Sequence, residues 1–346
     1  MSNREYTKEQ LDAALASMGV TDQTDVSRFG SGHINDTFKV ETKSGTRYIL
    51  QRVNTDIFPP EMLKDNVVRV TEHLAKKGVK SLVVKGYENP WRLYEFLEGY
   101  TSTDLVTNPA QAELVAGAFA KFQNDCADLP PPRLGEIIPK VHNTVDRLRL
   151  LDEAAAADVK GRKAKVAEEL AFVNARREEA AKIVTMMERG EIPERITHND
   201  TKINNVMLDD ATGEGVAVID LDTTMPGSAL YDFGDMVRTS SAAAAEDEKD
   251  LSKVYSKKEY FEALVKGYLA QAKFLTEAEK ANLAFSGRLI TLTIGIRFLT
   301  DYLAGDTYFR TAYEDHNLVR CRTQFKMVKS MEDQAAEYEA IVKKYS

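Results

Sequence analysis

Residues 196 to 222, ITHNDTKINNVMLDDATGEGVAVIDLD, gather acidic and amide side chains at short spacing around two apolar runs. Asp200 opens a polar loop, Asn205 follows five residues later, and Asp220 and Asp222 end the run GVAVI after the turn DDATGEG. Carboxylates with an Asn amide are hard oxygen donors, a set that suits Mg²⁺ carrying a nucleoside triphosphate. Asn205, Asp220 and Asp222 are therefore the candidate metal ligands. Asp200 is then free to accept a hydroxyl proton and to hold an acceptor in line for phosphoryl transfer. Lys202, on the same loop, is placed to meet a phosphate or the Asp200 carboxylate and completes the candidate catalytic pair. Turn chemistry alone explains DDATGEG, but not HND, NN and DLD flanking two apolar strands. His198 reads as a residue that fixes the loop by hydrogen bonds rather than one that titrates in the chemistry.

The elements that position these groups are legible on both sides. Upstream, RFGSGHINDTFKVETKSGTRYILQRVN has short apolar runs, FKV and YIL, bounded by punctuating residues, and predicts a strand, a Gly-containing turn, a strand, a tight SG turn and a third strand. In the first turn Gly30, Ser31 and Gly32 would bring backbone N–H groups close to phosphates. His33, Asn35 and Asp36 make that tip unusually polar, and His33 stands between an acceptor contact and an exposed turn residue. FPPEMLKDNVVRVTEHLAKKG starts on prolines, spaces Leu63, Val67, Val70 and Leu74 at helical intervals and ends at Gly78, so it predicts an amphipathic helix. Glu61, Asp65 and Glu72 on it could orient a phosphate-gripping side chain, and the sequence does not choose among them. Two further strands flank the GYENP turn and end in YEFLEG.

After residue 108 the chain turns helical. Asn108 and Pro109 form an N-cap and first turn for PAQAELVAGAFAKFQNDC. Residues 143 to 189 are charged and Ala-rich, predicting a solvated helix pair with a turn at Gly161. In GRLITLTIGIRFLTDYLAGD, Arg288 and Arg297 interrupt an apolar run, and Asp301 lies one turn beyond Arg297. A charged Arg in such a helix needs a partner. Two readings stand, a structural Arg297–Asp301 pair and an acceptor-side role for Arg297 and Asp301.

Composition narrows the class. With 346 residues the chain can bury a full core in a small strand-rich unit and a larger helical one. Lys+Arg 46 against Asp+Glu 54, a net charge of -8, disfavours nonspecific binding to nucleic acid or anionic membrane. Cys126 and Cys321 lack metal spacing. The amino terminus carries no apolar signal segment and the run near residue 289 is short and Arg-broken, so a cytoplasmic location is expected.

His198-x-Asp200 with Asn205 five residues on resembles the catalytic loop of the aminoglycoside phosphotransferase and choline kinase superfamily, the small-molecule branch of the protein-kinase-like fold. The resemblance implies an α+β, two-lobe chain: a small antiparallel-sheet nucleotide lobe over 1–98 with a hinge near 94–99, and a larger, mostly helical lobe over 99–346. Asp220 falls where the family keeps its metal-binding Asp, and Asp232 in ALYDFGDMVR resembles its later buried Asp that ties the catalytic loop together. YEFLEG resembles the hinge, where the adenine edge would pair near Glu95 and Leu97. The H-R-D and D-F-G signatures of protein kinases are missing from their places, which argues against a protein substrate. A kinase-like site also asks for a cation on the third strand. YILQRVN offers Gln51, with Arg52 beside it, and strand alternation lets only one face the nucleotide. Either Arg52 turns inward through an irregularity, or Gln51 takes a neutral role and another cation compensates.

At a finer level the chain is similar to N-acetylhexosamine 1-kinases over nearly its whole length, through GSGHINDTF, RYILQRVNTDIFP, ITHNDTKINNVMLD, VIDLDTTMPGSALYDFGDMVR, AEDEKDLSKV, IRFLTDYLAGDTYF and DHNLVRCRTQ. That resemblance implies ATP- and Mg²⁺-dependent phosphorylation of a sugar acceptor at its anomeric hydroxyl, with His33 and Arg297 in the acceptor pocket. Kinases of the same fold acting on choline, homoserine, methylthioribose or an aminoglycoside are the alternative within the fold. A catalytically silent nucleotide-binding module would require loss of Asp200, Asn205 or Asp220, and all three are present.

Overall fold

The computed structural model describes residues 4–30 and 34–346, so the expectations for Ser31, Gly32 and His33 lie outside the described residues. The chain forms two compact units. The first runs through Ser102 and also takes in 128–138 and 206–225; the second comprises 103–127, 139–205 and 226–346. The chain thus crosses between the two units five times, and the strands that lead to Asp220 fold with the first unit.

In the first unit, helix α1 (Lys8–Ser17) is opened by a capping box between Thr7 and Gln10. Strands β1 (Gln23–Arg28), β2 (Asp36–Thr42) and β3 (Arg47–Arg52) follow, then helix α2 (Pro60–Lys76) and strands β4 (Val84–Glu88) and β5 (Trp91–Glu95). The five strands form one antiparallel sheet in the order β1-β2-β3-β5-β4. Alternation along them separates two faces. On one, Phe38, Val40, Leu50 and Leu93 pack with Leu11, Leu15 and Val20 into a core. Each such side chain contributes roughly 1.5–3 kcal/mol by leaving water. On the other face, register places Thr37, Gln51, Arg92 and Tyr87 in one cross-strand row. Helix α2 buries Leu63, Val67, Val70 and Leu74, as its spacing predicts. A smaller antiparallel sheet joins Tyr100–Thr101, Val206–Asp209 and Gly215–Val218.

The second unit is helical. Its helices Pro109–Cys126 and Lys258–Gln271 approach so closely that a Cβ on Gly267 would sit 2.0 Å from the Glu113 carbonyl oxygen. Helix Leu283–Ala304 is long and apolar enough to cross a membrane by length and composition, yet most of it is buried inside the unit. It packs on helix Ala229–Ser240, where Gly234 meets Ser286 and Gly287 meets Val237. The 143–189 segment turns at Gly161, as expected, but it is tied down rather than merely solvated. Arg162 pairs with Asp306 at 2.6 Å, Arg176 with Glu332 at 2.7 Å and Arg322 with Glu169 at 2.6 Å.

Candidate active site

In the helical unit the loop after strand Arg195–Thr197 is built around buried Asp232. Its two carboxylate oxygens accept the backbone N–H of His198 at 2.8 Å and of Asn199 at 2.7 Å, and the Gln123 amide at 2.7 Å. Burial pushes this carboxyl up to about 7, against the pull of the three donors. His198 is fully buried, stacked edge-on between Phe119 and Phe122, and its Nδ1 accepts the Asp200 N–H at 3.3 Å. Both residues hydrogen-bond to the backbone of the loop. Asn199 adopts the left-handed region (φ 64°), and the Nε2–H of buried His142 donates to its carbonyl at 3.2 Å. That kink presents Asp200.

The Asp200 carboxylate is gripped from both sides. Lys202 Nζ lies 2.7 Å from Oδ1, and Asn205 Nδ2 donates to Oδ2 at 3.2 Å and to the Asp200 carbonyl at 2.8 Å. With Nδ2 so committed, Asn205 turns Oδ1 away from Asp200, the orientation a cation ligand requires. Burial works against the Lys202 charge, but the carboxylates of Asp200 and Asp235 outweigh it and raise its pKa above the ordinary lysine value. Asp235 is itself buried, accepts the Thr201 N–H at 3.2 Å and pairs with Arg238 at 2.8 Å. Despite burial, Arg238 and Lys202 hold its carboxyl below the usual range. Sequence reasoning missed Asp235 and His142; the second Asp of DFGD was a usable signal, whereas nothing in KVHNT marks His142.

Further along this unit, Arg297 stands over the rings of Tyr308 and Phe309 at 5.7 and 5.4 Å. Among the described residues no carboxylate lies within ion-pair distance of it. The Arg297–Asp301 pair does not form, because Asp301 has a different task. It is 4% exposed, and accepts the backbone N–H groups of Thr307, Tyr308 and Phe309 and the Asn317 amide, all at 2.8–2.9 Å. Those four donors spend the carboxylate on closing a loop, which removes it from the acceptor contacts. Arg147, whose guanidinium donates to the Lys140 and Val141 carbonyls, is lowered in pKa by burial and by Arg297. The two positive charges disfavour one another, and the Asp146 carboxylate offsets part of this at Arg147.

In the strand unit the ligand candidates separate sharply. Asp220 is exposed, in the left-handed region (φ 56°), and opens the short turn Leu221–Thr223. Asp222, two residues on, is 3% exposed and meets Arg92 and Asn35. Arg92 Nη1 lies 2.6 Å from Oδ1 and Nη2 donates to Oδ2 at 2.9 Å, while the Asn35 amide donates to Oδ2 at 2.6 Å. Oδ2 is taken up by two hydrogen bonds, whereas Oδ1 stands in ion contact with Arg92 Nη1 and accepts no hydrogen bond. Gln51 Oε1 accepts from Arg92 Nε and Nη2 at 3.0 and 2.8 Å, and its amide donates to Thr37 Oγ1 at 2.9 Å. The β2–β3 register is unbroken, so Arg52 stays in the row of Asp36 and Trp91, on the face opposite Gln51. It does not turn inward. The buried cation on the Gln51 face is Arg92, from the neighbouring strand, and its partner is Asp222 rather than Glu61, Asp65 or Glu72. A lone Arg within the apolar strand WRLYE was the sequence signal for it.

Gly30 keeps a positive φ of 77° with open space where a Cβ would stand, fitting a close backbone approach. In YEFLEG the Glu95 and Phe96 N–H groups are used by Val83 and Arg47 carbonyls, and the Glu95 side chain pairs with Lys85 at 2.8 Å. Among the described residues no backbone bond engages the Leu97 N–H.

Residues 25–273 match the model of a family described as the Phosphotransferase enzyme family. The fold is protein-kinase-like and is shared with several solved structures. An aminoglycoside phosphotransferase from Alicyclobacillus acidocaldarius is 13% identical, covering 99% of this chain and 98% of its own, with a TM-score of 0.65. An ethanolamine kinase from Plasmodium vivax is 16% identical, covering 92% and 90%, at 0.59. An amicoumacin kinase, solved in complex with AMP-PNP, Ca²⁺ and Ami, is 14% identical, covering 95% and 94%, at 0.58.

Proposed function

The chain belongs to the Phosphotransferase enzyme family, and from that premise we propose that it phosphorylates the anomeric hydroxyl of N-acetylglucosamine or N-acetylgalactosamine, using ATP and Mg²⁺, to give the α-1-phosphate. The observation that carries the reading is the state of Asp200: a partly exposed carboxylate, presented by the kink at Asn199 and held between Lys202 and Asn205. A base fixed in this way loses no orientational freedom when an acceptor hydroxyl arrives. A hemiacetal hydroxyl is more acidic than an ordinary alcohol, so this carboxylate needs position more than basicity.

When bound, Mg²⁺-ATP supplies the γ-phosphoryl group and a partly neutralised triphosphate. Asn205, in the helical unit, and exposed Asp220, in the strand unit, are the candidate oxygen donors for the metal. Both are hard oxygen donors, and among the described residues no three His, Cys, Asp or Glu side chains form a self-sufficient metal cluster. Lys202 adds positive charge beside Asp200. The Leu97 N–H and the Glu95 carbonyl would meet the adenine edge, and the turn at Gly30 would approach the phosphates.

Arg297 and Arg147 support this acceptor class. A guanidinium such as Arg297, with no carboxylate within ion-pair distance among the described residues and Arg147 adding to its field, repels a cationic amine and favours hydroxyl or carbonyl oxygens. That weighs against choline-like and aminoglycoside acceptors and fits a neutral N-acetyl sugar. The test is a phosphorus NMR assay of the purified protein with ATP, Mg²⁺ and a panel of N-acetylglucosamine, N-acetylgalactosamine, glucose, galactose and choline. A new phosphate signal coupled to an anomeric proton, confined to the N-acetyl sugars, is the expected result. Transfer to choline, or to a primary hydroxyl, would overturn the acceptor assignment.

A further inference from the structure

The first unit buries a cation that the phosphotransferase reading has not used. Arg92 is 1% exposed, and its guanidinium meets the Asp222 carboxylate and the Gln51 side-chain carbonyl and lies 5.2 Å from the Tyr94 ring centre. The row is continuous. Thr37 fixes Gln51, Gln51 fixes Arg92, and Arg92 fixes Asp222. Asp222 sits inside the three-residue turn that Asp220 opens from a left-handed backbone. The far end of that turn is tied as well, since the Asn66 amide donates to the Thr224 carbonyl at 3.0 Å.

A short turn anchored at its middle and its end has no freedom left at its first residue. Asp220, exposed and in a conformation unfavourable for a side chain with a Cβ, is therefore held by contacts made two and four residues downstream. Burying an ion pair this deeply is costly in itself and does not add stability beyond what apolar side chains of the same volume would give. Its use must lie in orientation. The forked guanidinium meets both oxygens of Asp222 and the Gln51 carbonyl at once, which a lysine ammonium on the same strand could not do.

We propose that Arg92 is a positioning residue for the nucleotide-bound metal, clamping Asp222 so that the turn aims Asp220 at the cation. Asp222 then serves as the anchor of the turn and not as a ligand. Gln51, standing where a cation was expected, completes the clamp from the neighbouring strand. The inference rests on the phosphotransferase reading, and its test separates the two.

The experiment is calorimetric binding of AMP-PNP, with and without Mg²⁺, to the full-length wild type and to three variants. Arg92→Lys keeps the charge and loses the fork. Asp222→Asn keeps the shape and loses the charge. Arg92→Met/Asp222→Leu removes both buried charges together, which preserves folding where a single unpaired charge would not. Melting temperatures of all four are recorded alongside.

The proposal expects wild type to bind the nucleotide more tightly with Mg²⁺. All three variants should lose at least about tenfold of that gain, while affinity in the absence of metal stays unchanged. Arg92→Met/Asp222→Leu should lose no more than Arg92→Lys or Asp222→Asn alone, because the two side chains act as one unit. A full Mg²⁺-dependent gain in Arg92→Lys and in the double apolar variant would overturn the clamp. So would tighter metal-dependent binding in Arg92→Lys, since that would mean that Asp222, once released, is itself the ligand. Absence of any Mg²⁺-dependent binding by wild type would instead overturn the phosphotransferase reading on which the clamp depends.

Discussion

His142 ties the stability of the helical unit to pH in a way that can be worked out in advance. The ring is buried, its Nε2–H donates to the Asn199 carbonyl, and burial pushes its pKa down from 6.5 to about 4. In the unfolded chain the same imidazole takes up a proton near its ordinary value. Between those two points the unfolded state binds more protons than the folded one, so stability falls as the pH falls. A shift of this size corresponds to about 3 kcal/mol, fully present above the unfolded pKa and lost progressively on acidification toward the folded pKa. The perturbation is His142→Gln, which retains a donor for the Asn199 carbonyl and removes the titration. Urea denaturation of wild type and variant, followed by far-ultraviolet circular dichroism from about pH 8 to about pH 4, gives the stability gap at each pH. The gap should be constant above neutrality and should move by about 3 kcal/mol in favour of the variant by the acid end. A gap that is flat across the whole range would refute the assignment of a buried neutral imidazole at this position.

Three further substitutions probe the fold and the acceptor side. Gly267→Ala places a methyl 2.0 Å from the Glu113 carbonyl oxygen, so two helix backbones must separate; a loss of about 3 kcal/mol or more is expected, seen as a large drop in melting temperature. Asp301→Asn turns one acceptor oxygen into a donor facing N–H groups, costing about 2–4 kcal/mol. Hydrogen exchange should accelerate at residues 306 to 310, and the acceptor KM should rise with Tyr308 unsettled beside Arg297. Arg297→Met should raise the KM for the sugar by about tenfold or more while leaving the KM for ATP unchanged, measured by coupled ADP release. Equal effects on both substrates would remove Arg297 from the acceptor side.

What the sequence revealed and what it withheld divide along a physical line. Helix α2, with its proline start and four apolar residues at helical spacing, is decided by local pattern, and its existence and buried face follow directly. The loop carrying His198, Asp200 and Asn205 is partly local: five residues of spacing place the Asn amide against Asp200 once Asp232 has fixed the loop. Helix α1 was also legible, in the TKEQ capping box, but no reading took it up. Gln51 and Arg52 could not be told apart, because alternation says only that they point to opposite faces. Which face holds the core depends on pairing with Leu93 and on α1. Arg92 and Asp222 are 130 residues apart, and no periodicity links them. Asp301 misled for a similar reason. One helical turn separates it from Arg297, which suggests a pair, yet three loop amides compete for the same carboxylate and satisfy it better. Buried polar groups choose partners by desolvation and geometry, and those partners are settled by the assembled fold rather than by neighbours in sequence.

The central claim is that Asp200 is the base of an ATP-dependent transfer to a small acceptor. Its most direct test is the turnover number of Asp200→Asn, a substitution that preserves the shape held by Lys202 and Asn205, measured with the nucleotide affinity of the same preparation. The account predicts that turnover falls by about 10²- to 10⁴-fold while Mg²⁺-dependent nucleotide binding stays close to wild type. Near-normal turnover in that variant would contradict it.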